Sequence, residues 1–157
     1  MADNGNLPEH QRTGDEDLSD LLQELRVLLP GTQTLTAFLI ILPFNSGFAD
    51  IQPGEKYVYL ATFLCSLASL ILFAAPAAQH RLQRPLRDRE AFKHRASQLT
   101  IAGLVPLSLA LVLATQLVLD EVLGSAWLGW IAAGTVALLI LAVWWITPLR
   151  TKAQRGK

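Results

Sequence analysis

Four stretches, at about 32–49, 57–78, 97–119 and 126–148, contain no charged side chain. Nothing else in the sequence limits the fold so strongly. A helix needs about 20 mostly apolar residues to cross a ~30 Å hydrocarbon layer. Lipid offers no hydrogen-bond partner to an open strand edge, so such runs cross as helices. The expected fold class is an all-α membrane protein with four transmembrane helices in an up-down bundle, preceded by an amphipathic cytoplasmic helix. Charged residues make up 17% of the chain, against about 25% in an ordinary globular protein. The deficit falls in these four segments, which separates spanning helices from a soluble core.

Orientation is read from the loop between the second and third runs, His80–Arg95, which reads HRLQRPLRDREAFKHR. It carries Arg81, Arg84, Arg87, Arg89, Lys93 and Arg95. Short loops rich in Lys and Arg stay cytoplasmic. Arg12, Arg26, this loop and the basic tail 150–157 place twelve cations on one side, and Lys56 stands alone on the other. Both termini are therefore expected in the cytoplasm. The loop would also suit anionic headgroups, although topology is sufficient to explain it.

Ahead of the first run, seven acids (Asp3, Glu9, Asp15, Glu16, Asp17, Asp20, Glu24) face only Arg12 and Arg26. No basic segment leads into a short apolar core, so a signal peptide is not expected. Residues 1–14 read as a disordered polar N-terminus. Leu18, Leu21, Leu22, Leu25, Leu28 and Leu29 recur at helical spacing, opposite Asp17, Asp20 and Glu24. That predicts an amphipathic helix over 15–30, ended by Pro30-Gly31. The acidic face has the wrong sign for an anionic leaflet. The helix is thus expected to bend at Pro30-Gly31 and fold beneath the bundle, acids toward Arg81, Arg84, Arg87 or Arg89.

Within the transmembrane domain, 31–149, Pro43 is expected to kink or break the first span, and Pro76 to mark the inner end of the second. Small residues recur at Ala61, Cys65 and Ser69, and at Gly103, Pro106, Ala110 and Ala114, which predicts close helix approach. Cys65, the single cysteine, has no partner for an intramolecular disulfide. Trp127 and Trp130 near one end of the fourth span, and Trp144 and Trp145 near the other, fit aromatic anchors at two interfaces.

Candidate sites are few. Asn45 and Asp50 close the first span and Gln116 and Asp120 close the third, at the same outer end. They read either as an outward-facing polar cluster, a vestibule or cation site, or as helix ends solvated by water and headgroups. At the inner end Gln33, Thr34, Gln98 and Thr100 offer hydrogen bonds between helices. His10, His80 and His94 lack ligand spacing, so no metal is expected. No catalytic constellation and no cofactor motif is recognisable, and the chain is read as non-enzymatic. Every Asp and Glu lies outside the apolar runs or at their rim, whereas a proton- or sodium-coupled transporter usually holds such a group within the membrane.

The segments LQELRVLLPGTQTL (22–35), LPF (42–44), APAAQHR (75–81) and LVLDEVLG (117–124) resemble a family of small bacterial four-helix membrane proteins of unknown function. Some members carry an automatic sodium:proton antiporter label. The resemblance covers about 18–147, is most specific at ELRVLLPGTQ, and implies a bacterial inner-membrane protein without assigning site residues. The expected function is that of a non-enzymatic accessory or scaffolding membrane protein. The alternative is a small oligomeric ion or solute transporter or channel using the outer polar cluster. The partners expected are the lipid bilayer and a homo-oligomer or larger membrane complex. A net charge of zero gives no reason to expect nucleic acid.

Overall fold

The computed structural model describes residues 9–49, 51–82, 89–148 and 150. Four long helices dominate: α1 Glu9–Ile41, α2 Pro53–Leu82, α3 Arg89–Leu123 and α4 Ala126–Ile140. No strand occurs among the described residues. The segments Gln23–Phe44, Pro53–Leu82, Ala91–Leu123 and Ala126–Ile146 are each long and apolar enough to cross a membrane, with mean hydropathies of 1.7, 2.2, 2.1 and 2.1. The chain is a multi-pass membrane protein by this measure.

The amphipathic helix and the first span are one element. The helix starts at Glu9, inside the stretch expected to be disordered, and α1 runs unbroken through Pro30. It therefore makes no elbow there and does not turn beneath the bundle. A proline inside a helix removes one backbone donor, and Pro30 does so on an exposed face. Hydroxyls supplement the surrounding turns, Thr32 Oγ1 donating to Leu28 O at 2.9 Å and Thr34 Oγ1 to Pro30 O at 2.8 Å. The leucine stripe simply continues through the proline. Leu25, Thr32, Thr36 and Leu39 are buried in succession, so one face packs along the whole span. The side chains of Asp17 and Asp20, the residues 1–8, and Arg84 and Arg87 lie outside the described residues, as does the Arg89 side chain. Glu24 and Arg81 are exposed.

Pro43 does end the first helix. α1 stops at Ile41 and the chain tightens into 3-10 turns at Leu42–Phe44 and Ser46–Ala49. Pro76, expected at the end of α2, lies inside it and is fully buried. At the far side, Gly124 closes α3 with φ 61°, and its N–H donates to Asp120 O at 2.8 Å. That left-handed conformation is cheap only for glycine. Beyond α4 the helix widens into a π-helical stretch, Leu141–Ile146.

The helices pack mainly with their chain neighbours. α2 and α3 share the largest interface, α3 and α4 the next, and α1 lies on α2 with a lighter touch on α3. Among the described residues, α4 packs against α3 alone of the long helices. The buried face of α2 is Thr62, Ser66, Ser69, Phe73 and Pro76. Of the expected small-residue face only Ser69 belongs to it, since Ala61 is exposed and Cys65 half-buried. Lipid is as apolar as leucine, so close packing and hydrogen bonds rather than hydrophobicity hold such helices together. The bonds are short and specific. Thr36 Oγ1 donates to Thr32 O at 2.8 Å, which leaves the Ser66 hydroxyl to supply the proton for the 2.6 Å Thr36–Ser66 bond between α1 and α2. Tyr59 OH donates to Leu39 O at 2.9 Å, and Ser69 Oγ to Gly103 O at 2.9 Å. Each contributes about 0.6 kcal/mol on average in a membrane.

Candidate functional site: a polar cleft at the α3–α4 turn

The end of the molecule where α1 passes into α2, and α3 into α4, brings several polar side chains together. α2 starts there on a local device. Glu55 Oε2 accepts the Gln52 N–H at 2.8 Å, one half of the reciprocal arrangement that fixes helix N-termini. The carboxylate is thus held over the first turn of α2.

Opposite it, the last turns of α3 present Gln116 and Asp120. They are four residues apart, and so share a helix face. Gln116 Nε2 donates to Asp120 Oδ2 at 3.2 Å. A carboxylate only accepts hydrogen bonds, so the amide nitrogen must be the atom that faces it. Gln116 Oε1 consequently turns away from Asp120. Gln116 is 2% exposed, and this oxygen is a buried acceptor with no partner. α4 crosses directly over the pair. A Cβ placed on Gly129 would lie 3.0 Å from Gln116 O and 3.3 Å from Asp120 N.

Between these elements lies a cleft of about 540 Å³, walled by Gln52, Glu55, Gln116, Asp120, Glu121 and Trp130 among others. A second, more apolar cleft of about 300 Å³ adjoins it, with Asn45, Phe48 and Ile51 in its wall. Glu55 and Glu121 border both. The structure therefore joins Gln116 to Asp120 and sets Asn45 in the neighbouring cleft, while Asp50 lies outside the described residues. Asn45 is occupied in backbone turns, its N–H donating to Leu42 O at 3.1 Å and its carbonyl accepting from Phe48 N at 3.0 Å. Sequence reasoning missed Glu55, Glu121 and Trp130. The three-residue spacing of Gln52 and Glu55 at a helix start was the available signal for the first.

Among the described residues, no three His, Cys, Asp or Glu side chains stand close enough together to hold a metal ion. The carboxylates surround a space rather than converge on a point. At the opposite end, the basic loop is bordered by a contact of the His80 and Phe92 rings, centroids 5.8 Å apart. Lys93 is half-buried and Arg95 exposed on the opening turns of α3.

A family model described as a family of unknown function, DUF6328, matches residues 8–148. No curated protein and no solved structure matches the chain.

Proposed function

The chain belongs to the DUF6328 family, whose function is unknown, so its role is read from its own residues, and we infer that it is a non-enzymatic accessory or scaffolding protein of a bacterial inner membrane. The observation that carries this reading is the bonding of helix to helix in the middle of the molecule. There Thr36 bonds Ser66 and Ser69 bonds Gly103 O, helix to helix, while Phe73, Leu107 and Ala110 fill the rest. Hydroxyls that direct their protons at a neighbouring helix act as packing contacts, which fits a scaffolding role. The N-terminal part of α1 offers a handle instead. Ahead of its spanning segment α1 carries Glu9–Leu22 as helix, about 21 Å long at ~1.5 Å per residue. This acidic stretch is the natural place for a cytoplasmic partner to hold.

The second reading, a small oligomeric transporter, is supported by the polar cleft at the α3–α4 turn. The cleft reaches Gln116, about two turns from the end of α3 at Leu123, and the interior beyond it holds the bonded hydroxyls and buried side chains just described. Flux separates the two readings. Vesicles containing the purified protein should show no sodium-driven proton movement and no leak above empty vesicles. A photo-crosslinker placed at 17, 20 or 24 in living cells should give discrete adducts. Sodium- or proton-dependent flux would overturn the scaffolding role.

Orientation rests on the twelve-to-one distribution of Lys and Arg, and on the cytoplasmic retention of short basic loops. Reporter fusions after residue 90 and at the C-terminus should report cytoplasm, and fusions at Gly54 and Gly124 the opposite side. A cytoplasmic signal at Gly124 would exclude the arrangement.

A further inference from the structure

We propose that the apolar cleft between the strap 42–49 and the last turns of α3 is a recess that holds one acyl chain of a membrane lipid. The inference goes beyond the scaffolding role and does not depend on it. It starts from Pro43, which has no N–H to give the carbonyl of Leu39 four residues earlier. α2 supplies a donor instead, Tyr59 OH to Leu39 O at 2.9 Å. The same tyrosine ring meets Phe48 edge to face, centroids 4.9 Å apart and planes at 75°. Both contacts draw the strap toward α2. On its other side, among the described residues, no Cα of either 3-10 turn lies within 8 Å of an α3 Cα. The break in the first helix thus leaves a gap over the end of α3.

The gap measures about 300 Å³, with Leu42, Phe48 and Ile51 in one wall and Leu117, Val118 and Val122 in the other. Leu42 and 117–122 lie within the spanning segments. Val118 is 58% and Val122 70% exposed, so the α3 wall runs on without a break into the surface that faces lipid. Glu55 and Glu121 stand at the rim, and Glu55 is already engaged by the Gln52 N–H. These carboxylates mark the edge that meets water, which leaves the membrane side as the way in. The occupant is then chosen by shape. A docked helix presents anchors from i to i+7, about 10 Å of groove at ~1.5 Å per residue. α3 offers only 117 to 122, about 8 Å by the same rise. An acyl chain is thin enough to lie there and flexible enough to bend in. A tail in the recess touches protein on two sides, whereas one on the open surface touches it on one. Dispersion contacts add atom by atom, so the enclosed tail exchanges more slowly than its neighbours.

The test uses the full chain, stripped of lipid in detergent, incubated with palmitoyl-oleoyl phosphatidylcholine and read by mass spectrometry of the intact protein. One lipid per chain is expected to be retained, saturably. Lysophosphatidylcholine, which has a tail, should displace it, and glycerophosphocholine, which has none, should not. Gly47 lines the recess, and a Cβ there meets nothing within 4 Å, so Gly47→Phe has room to fill it. Gly47→Phe and Val118→Phe should each lower retention at least fivefold. Gly134→Phe, on α4 and equally free of neighbours, should leave it unchanged. If Gly47→Phe fails to fold, Val118→Phe at its exposed position still decides. A spread of adducts that neither filling variant alters would mean ordinary surrounding lipid only, and would overturn the proposal. So would displacement by glycerophosphocholine, or a dimer that Val118→Phe dissociates, which would put a second copy in the recess.

Discussion

Gly103→Leu is expected to separate α2 from α3 and to leave little folded protein in the membrane. Gly103 sits at the tightest point of the largest helix interface. A Cβ there would lie 2.6 Å from Phe73 Cε1, 2.8 Å from Cδ1 and 3.3 Å from Leu72 Cβ. Phe73 is fully buried, so its ring has nowhere to swing. The carbonyl of Gly103 also accepts the Ser69 hydroxyl, and that bond breaks when the backbones part. Overpacking a close-packed interior costs about 1–3 kcal/mol and sometimes more. A leucine at this site belongs at or above the upper end. Gly103→Ala should do less harm in the same direction, and Phe73→Leu should restore part of the loss by shortening the obstructing ring. Thermal denaturation followed by size-exclusion chromatography measures all three. Gly31→Leu and Gly134→Leu serve as controls, because nothing lies within 4 Å of a Cβ at either position. Equal losses at Gly103 and Gly134 would refute the role given to the α2–α3 contact.

That contact was only half visible in the sequence, for a physical reason. The four spans are legible because hydropathy and length alone separate them from the rest. Which face of each span turns inward is not, since lipid-facing and core-facing positions are both apolar. On α2 the inward stripe is marked by the polar residues Thr62, Ser66 and Ser69, the reverse of a soluble helix. Reading small residues at four-residue steps put Ala61 and Cys65 on that stripe, one position away. The junction at Pro30-Gly31 fails differently. In water such a pair ends a helix, but membrane helices tolerate it where hydroxyls and neighbours support the surrounding turns, as Thr32 and Thr34 do here. The leucines of 18–29 were therefore read as a separate surface helix, when the stripe continues through Thr32 and Thr36 to Leu39. The polar cleft was legible as to Gln116 and Asp120, one turn apart on a single helix. Glu55 joins them only through tertiary packing, and no local spacing links it to α3.

The same packing logic makes α4 the most easily detached helix, and Gly129→Leu should release it. Among the described residues α4 has one long neighbour, α3, and its buried positions are Gly129 and Ala133. A Cβ at Gly129 meets backbone only: Gln116 O at 3.0 Å, Asp120 N at 3.3 Å and Asp120 Cα at 3.6 Å. Side chains can rotate out of a clash, whereas two helical backbones must move apart as bodies. The separation needed to seat a leucine would carry Ala133, 1% exposed, out of contact as well. The chain supplies its own reporter for this event. All four tryptophans, Trp127, Trp130, Trp144 and Trp145, lie on α4 or its π-helical continuation. Gly129→Leu is expected to shift tryptophan emission and lower the melting temperature, with Gly129→Ala intermediate. Gly103→Leu, by contrast, should lower the melting temperature with less change in the emission of the protein that remains folded. An emission spectrum unchanged in Gly129→Leu would mean that α4 is held by contacts other than this crossing, and would remove the basis for treating it as a separately docked helix.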